Sequence, residues 1–132
     1  MLNRKTKNNK LNIKRNIKYR TYQFSLDIID FLEILPRNYI YQIIGKQLLR
    51  SATSVGANII EAQAGRSRKD FTNFYHIALK SANESKYWLC LIRDKAKASE
   101  IKEKAGKLFQ EATEISNMLG SSLLTLKGKR RF

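Results

Sequence analysis

Residues 38–63, NYIYQIIGKQLLRSATSVGANIIEAQ, decide the fold. Tyr41, Ile44, Leu48, Ser51, Val55, Asn58 and Ala62 recur at alternating steps of three and four, the stripe of a helix with one face turned inward. Gly45 and Gly56 stand inside this segment. Each weakens an isolated helix by about 1 kcal/mol relative to alanine, so the pattern predicts that a neighbouring helix approaches closely there. Ala64, Gly65 and Arg66 form the stop signal.

The same period extends in both directions. Upstream, Phe24, Ile28, Phe31 and Leu35 mark a first helix, ended by Pro36 because the residue before a proline is pushed out of the α region. Downstream, Ser67 with Asp70 three residues on reads as a capping-box-like start. A third helix then follows with Phe71, Tyr75, Ala78, Ala82, Ser85, Leu89 and Ile92 on one face. Phe74, Ser81 and Trp88 form a second line beside it, which a single bundle core does not need, and this predicts an interface with another subunit. Ser99 is expected to cap a fourth helix, with Glu100 and Glu103 placed against its positive end. Its stripe runs Ile101, Ala105, Leu108, Ala112, Ile115, Leu119, Ser122, Leu126. Four amphipathic helices with short connections predict an all-α, antiparallel up-down-up-down four-helix bundle. No stretch shows the period-two alternation of a strand. The chain divides into a basic N-terminal arm, residues 1–18, expected to be mobile, the bundle, 19–126, and a basic tail, 127–132.

Charge points to the partner. Lys and Arg number 26 against 11 Asp and Glu, a formal net charge of +15. Most of the excess lies at the ends: residues 1–22 hold eight basic side chains and no acid, and residues 127–132 hold Lys127, Lys129, Arg130 and Arg131 and no acid. In the expected topology both ends meet the turn that carries Arg66, Arg68 and Lys69, beside the N–H groups that open the third helix. Lys14, Arg15, Lys18 and Arg20 would join this anion-binding pole, with Tyr19 and Tyr22 as faces on which unpaired bases stack. Such a surface suits nucleic acid, RNA ahead of DNA. The competing reading is a pair of solvated tails that keep the chain soluble.

The chemistry of catalysis is sparse. A dimetal site in a helical bundle needs Glu-x-x-His pairs, and here the single histidine, His76, follows Asn73 at that spacing. No phosphate loop, nucleophile elbow or paired cysteine appears. The chain therefore reads as a non-enzyme without cofactor or metal. Arg50, Asn58, Glu61 and Glu84 are polar residues on the inner parts of helices two and three, where they either form an interhelical network or serve a functional surface; Arg50 is the candidate partner of Glu84. The lone Cys90 cannot close an internal disulfide and fits a small core residue in a reducing, cytoplasmic setting. No run is long and apolar enough for a membrane span.

Two linked segments resemble a known family. Leu35 and Pro36, then Gln47-Leu48-Leu49-Arg50-Ser51-Ala52 and Ser54-Val55-Gly56-Ala57-Asn58-Ile59-Ile60-Glu61, are similar to the signature of bacterial four-helix-bundle proteins associated with 23S ribosomal RNA intervening sequences. Arg66-Ser67-Arg68-Lys69-Asp70-Phe71, Ile77, Ala78, Ser81 and Glu84 continue it, and the resemblance covers about residues 20–127. This chain has Ala62 where the family usually has Gly, Leu49 where it has a second Arg, and Ser51 where it has Ala. The resemblance implies a homopentameric barrel and an association with RNA. A related branch resembles the accessory proteins of diversity-generating retroelements, which implies a reverse transcriptase as a partner. A second function class is thus a protein-interaction scaffold in which the charge is secondary.

Overall fold

The computed structural model describes residues 16–130, and side chains from 16 to 128. Four α-helices make up the fold: α1 Ile17–Glu33, α2 Tyr39–Ala64, α3 Arg68–Lys95 and α4 Ser99–Arg130. No strand occurs among the described residues. Helix α1 begins two residues ahead of the expected start, because Asn16 caps it by accepting from the Lys18 amide at 2.9 Å. Asn38 caps α2 through the Tyr41 amide at 3.0 Å, and Ser67 caps α3 through the Asp70 amide at 3.1 Å. Each cap satisfies one of the N–H groups that a helix start leaves without a partner. The expected cap of α4 is different: Ser99 is already helical, and the Ala98 carbonyl accepts the first helical bond from Lys102 at 3.2 Å. Helix α4 also continues past the expected frayed end at Lys127, through Gly128.

The helices pack in a ring, α1 on α2, α2 on α3, α3 on α4 and α4 on α1, and the last seam is the sparsest. Thr21 and Leu32 of α1 meet Gly56 and Gly45 of α2. Ser81 and Ser85 of α3 meet Ser54 and Ser51 of α2. Lys86 and Arg93 of α3 meet Ser116 and Phe109 of α4. A Cβ at Gly45 would lie 3.2 Å from Leu32 Cδ2, and one at Gly56 would lie 3.4 Å from Thr21 Oγ1. Both glycines thus admit α1 at close range, as their positions in the sequence implied.

Phe24, Ile28, Leu48, Val55, Ile59, Leu89, Ile92, Ile115 and Leu119 fill the core and are essentially fully buried. Removing each from water stabilises the fold by about 1.5–3 kcal/mol. Toward the end of α4 the core moves from the expected Ser122 to Leu123, which is buried while Ser122 is only half-buried. A straight helix drifts by about 20° per heptad against a strict seven-residue repeat, and the inward position shifts by one residue. Cys90 is half-buried on the flank of α3, with Arg93 Nη2 3.7 Å from its sulfur, and Leu89 takes the core position beside it.

Candidate nucleic-acid interface

Arg66, Arg68 and Lys69 are exposed where the chain turns from α2 into α3. Arg68 Nη2 donates to the Leu126 carbonyl at 2.9 Å, which ties this turn to the last part of α4 and brings Arg68 next to the exposed Lys127. One of five guanidinium donors is used, so the charge still faces outward. No acidic residue follows Glu114 on α4, and none precedes Asp27 on α1. Asp70 and Glu61 are the acids nearest the turn in sequence.

Lys18, Tyr19 and Tyr22 are exposed on the first turns of α1, whose Thr21 packs on Gly56 of α2. Tyr19 and Tyr22 expose 51% and 60% of their surface, leaving ring faces open to a stacking partner. Arg20 differs from its neighbours. It is turned into the α1–α4 seam, where Nη2 lies 2.7 Å from Glu111 Oε1 and 2.9 Å from Glu114 Oε2. The hydrogen bond to Glu111 raises the Arg20 pKa above its ordinary value against the opposing effect of burial. Arg20, expected among the phosphate contacts, is thus committed within the chain. Glu111 and Glu114, three apart on one helical face, were the sequence signal for this partner. Lys14, Arg15 and Arg131 lie outside the described residues, and Lys129 and Arg130 belong to α4 with undescribed side chains.

Arg50 and Glu84 do pair, at 2.5 Å, and Trp88 Nε1 donates to the same carboxylate at 3.2 Å. Asn58 donates to the Ser54 carbonyl at 2.8 Å and Ser81 donates to Ser54 Oγ at 3.0 Å, while Glu61 stays exposed with no partner among the described residues. Serine pairs therefore replace Glu61 in the seam: Ser51 and Ser85, both buried, share a 2.9 Å hydroxyl contact. Phe74, Ser81 and Trp88 are half-buried beside this seam, with Phe74 and Trp88 packed against the core. Other apolar side chains are exposed, among them Tyr39, Ile40, Ile43 and Tyr87, whose ring packs edge-on against Trp88 with centroids 5.2 Å apart. Among the described residues no cluster of three His, Cys, Asp or Glu could hold a metal, and no helix is long and apolar enough to cross a membrane.

Fold and surface together define a four-helix protein that carries one cluster of cations at the α2–α3 turn and the end of α4. The 23S rRNA-intervening sequence protein family matches residues 14–121, and the chain belongs to that family. Among solved structures, a protein with unknown function from the S23 ribosomal protein family of Bacteroides thetaiotaomicron VPI-5482 is 36% identical, with a TM-score of 0.72 over 82% of this chain and 98% of that one. No curated protein matches the chain.

Proposed function

We propose that this chain is a non-enzymatic, cytoplasmic RNA-binding protein whose antiparallel up-down-up-down bundle assembles into a homo-oligomer, a pentameric barrel. It grips RNA through phosphates with little regard to sequence. The observation that carries this reading is the bond from Arg68 to the Leu126 carbonyl. It gathers Arg66, Arg68, Lys69 and Lys127 onto one acid-poor surface, to which the basic ends of the chain connect. The family's association with a ribosomal RNA insertion supports the same reading.

The experiment measures RNA affinity against salt for the parent, for a deletion of residues 1–15, and for the triple variant Arg66→Gln, Arg68→Gln, Lys69→Gln, with assembly size followed by light scattering. The cut leaves Asn16 in place to cap α1. Each phosphate contact contributes about −0.7 to the logarithmic salt slope on single strands, so both changes should flatten the slope while helicity stays. An unchanged slope in both would overturn the reading. A second reading, a scaffold that recruits a protein such as a retroelement reverse transcriptase, is favoured by a groove of about 750 Å³ that includes Tyr39, Ile40, Tyr41, Leu91 and Ile101. It predicts binding to that protein that survives high salt.

A further inference from the structure

Gly120 of α4, like Gly128, makes no close approach to a neighbouring helix, and of the two only Gly120 lines a groove. Its backbone is helical with no positive φ, and a Cβ built on it meets nothing within 4 Å, whereas Gly45 and Gly56 each admit a neighbouring helix. A glycine in a helix interior costs stability relative to alanine. What it leaves is space: a groove of about 600 Å³ between α3 and α4, lined by Thr72, His76, Leu79, Gly120, Leu123 and Lys127. Cavities of about 300–1,000 Å³ with an apolar floor and few polar groups are of ligand size.

The surroundings indicate the ligand. The floor is leucine, suited to a flat apolar face. The Thr72 hydroxyl donates to the Arg68 carbonyl at 2.9 Å and keeps its acceptor capacity. The exposed His76 ring has no hydrogen-bond partner among the described residues. The groove opens beside cations: Lys127 lines it, and Leu126, whose carbonyl holds Arg68, lines it too. A guest with a flat ring, hydrogen-bonding edges and an attached anion satisfies all of these features.

We propose that this groove seats one unpaired base of the bound RNA, with its flanking phosphates held by Arg68 and Lys127. The inference rests on the RNA reading above and adds to it a site that distinguishes single strands from backbone charge alone. The base lies on Leu79 and Leu123 in the notch left by Gly120, and Thr72 and His76 meet its edge. Duplex RNA, with its bases stacked and paired, cannot fill the notch.

The test compares a single-stranded 12-mer RNA with a 12-mer abasic ribose-phosphate strand of equal charge, on the full chain. The parent should bind the base-bearing strand about tenfold more tightly, the range of a single stacked base. Gly120→Leu fills the notch without touching a charge; it should bind both strands alike, at the parent's abasic affinity and with the parent's salt slope. His76→Ala, at an exposed position, should lose part of the same preference, which keeps the test decisive should Gly120→Leu fold poorly. Parent-like preference in both variants would overturn the seat while leaving phosphate binding standing. Gly120→Leu that changes assembly size would assign the groove to a second copy and overturn it too. Failure of the parent to bind either strand would remove the RNA reading itself.

Discussion

Arg20 of α1 holds Glu111 of α4 through two nitrogens at once, Nε at 3.0 Å from Oε2 and Nη2 at 2.7 Å from Oε1. The pair is three-quarters shielded, with side-chain exposures of 24% and 29%, and it spans the sparsest seam of the ring. Exposed pairs contribute at most about 1 kcal/mol, and hydrogen bonds to charged groups contribute about 1.5–3 kcal/mol. Arg20→Met keeps the apolar stem and removes the fork, so it should cost about 1–2 kcal/mol in urea unfolding. Its RNA affinity and salt slope should match the parent's, since the guanidinium already serves Glu111 and Glu114. A flattened slope with unchanged stability would return Arg20 to the nucleic-acid surface.

The paired hydroxyls of Ser51 and Ser85 set the distance between α2 and α3. Each also has a backbone acceptor in reach, the Leu48 carbonyl 3.2 Å from Ser51 Oγ and the Ser81 carbonyl 2.9 Å from Ser85 Oγ, so one hydroxyl donates to the other and the second donates to its own carbonyl. Either serine therefore keeps a backbone partner when the other is lost. Ser51→Ala should change stability by less than about 1 kcal/mol, because no buried group is left unpaired. Ser51→Leu forces bulk into a seam with no room, and overpacking of this kind costs about 1–3 kcal/mol. The pair of melting curves checks the claim, and equal effects of the two substitutions would contradict it.

Much of the bundle was legible in residues such as Phe24, Leu48, Leu89 and Ile115, whose three-four spacing survives packing because burial follows helix phase. Ser67 and Pro36 punctuated the helices by chemistry that acts within a turn, and Asn38, expected as the first residue of the second helix, is its cap. The seams were harder to read. Nothing local shows that Arg20 faces α4 while Lys18 and Tyr22 face solvent, since that depends on how α1 rotates against two neighbours. Glu61 looked like Asn58 in sequence, three residues on, yet the tighter α2–α3 contact at Ser54 and Ser81 leaves it outside. Gly120 lies beside Leu119 but off the apolar stripe of α4, and its place in a groove depends on which side of α4 meets α3.

Tyr75 ties stability to alkaline pH. Burial pushes its phenol above the ordinary value of 10, and its ring stacks on Phe71 with centroids 4.3 Å apart. The folded chain thus keeps a proton that the unfolded chain releases, so this group's contribution holds below about pH 10 and declines as pH rises through the folded value. The decline is at most about 1.4 kcal/mol per pH unit. Tyr75→Phe keeps the stack and lacks the proton, and its stability should fall less steeply above pH 10 than the parent's. Denaturant midpoints across the alkaline range give the comparison, and parallel curves would show that the Tyr75 proton does not couple to folding.

Gly45 of α2 and Gly120 of α4 should respond differently to added side chains, because only Gly45 has a neighbour within 4 Å. At Gly120 an alanine finds open space, so the gain is the helix propensity alone, about 1 kcal/mol. That corresponds to a rise of about 4 °C in Tm for a domain of this size. At Gly45 the first added carbon already lies 3.2 Å from Leu32 Cδ2, which must yield before any propensity is realised. Gly45→Ala should therefore gain less than Gly120→Ala, and Gly45→Ile, whose branch points into α1, should lose about 1–3 kcal/mol by overpacking. Thermal unfolding of the three variants orders them Gly120→Ala, Gly45→Ala, Gly45→Ile. If Gly45→Ile were as stable as Gly120→Ala, the α1–α2 seam would have to be looser than the Gly45 and Leu32 contact allows, and the close approach assigned to the glycine would be wrong.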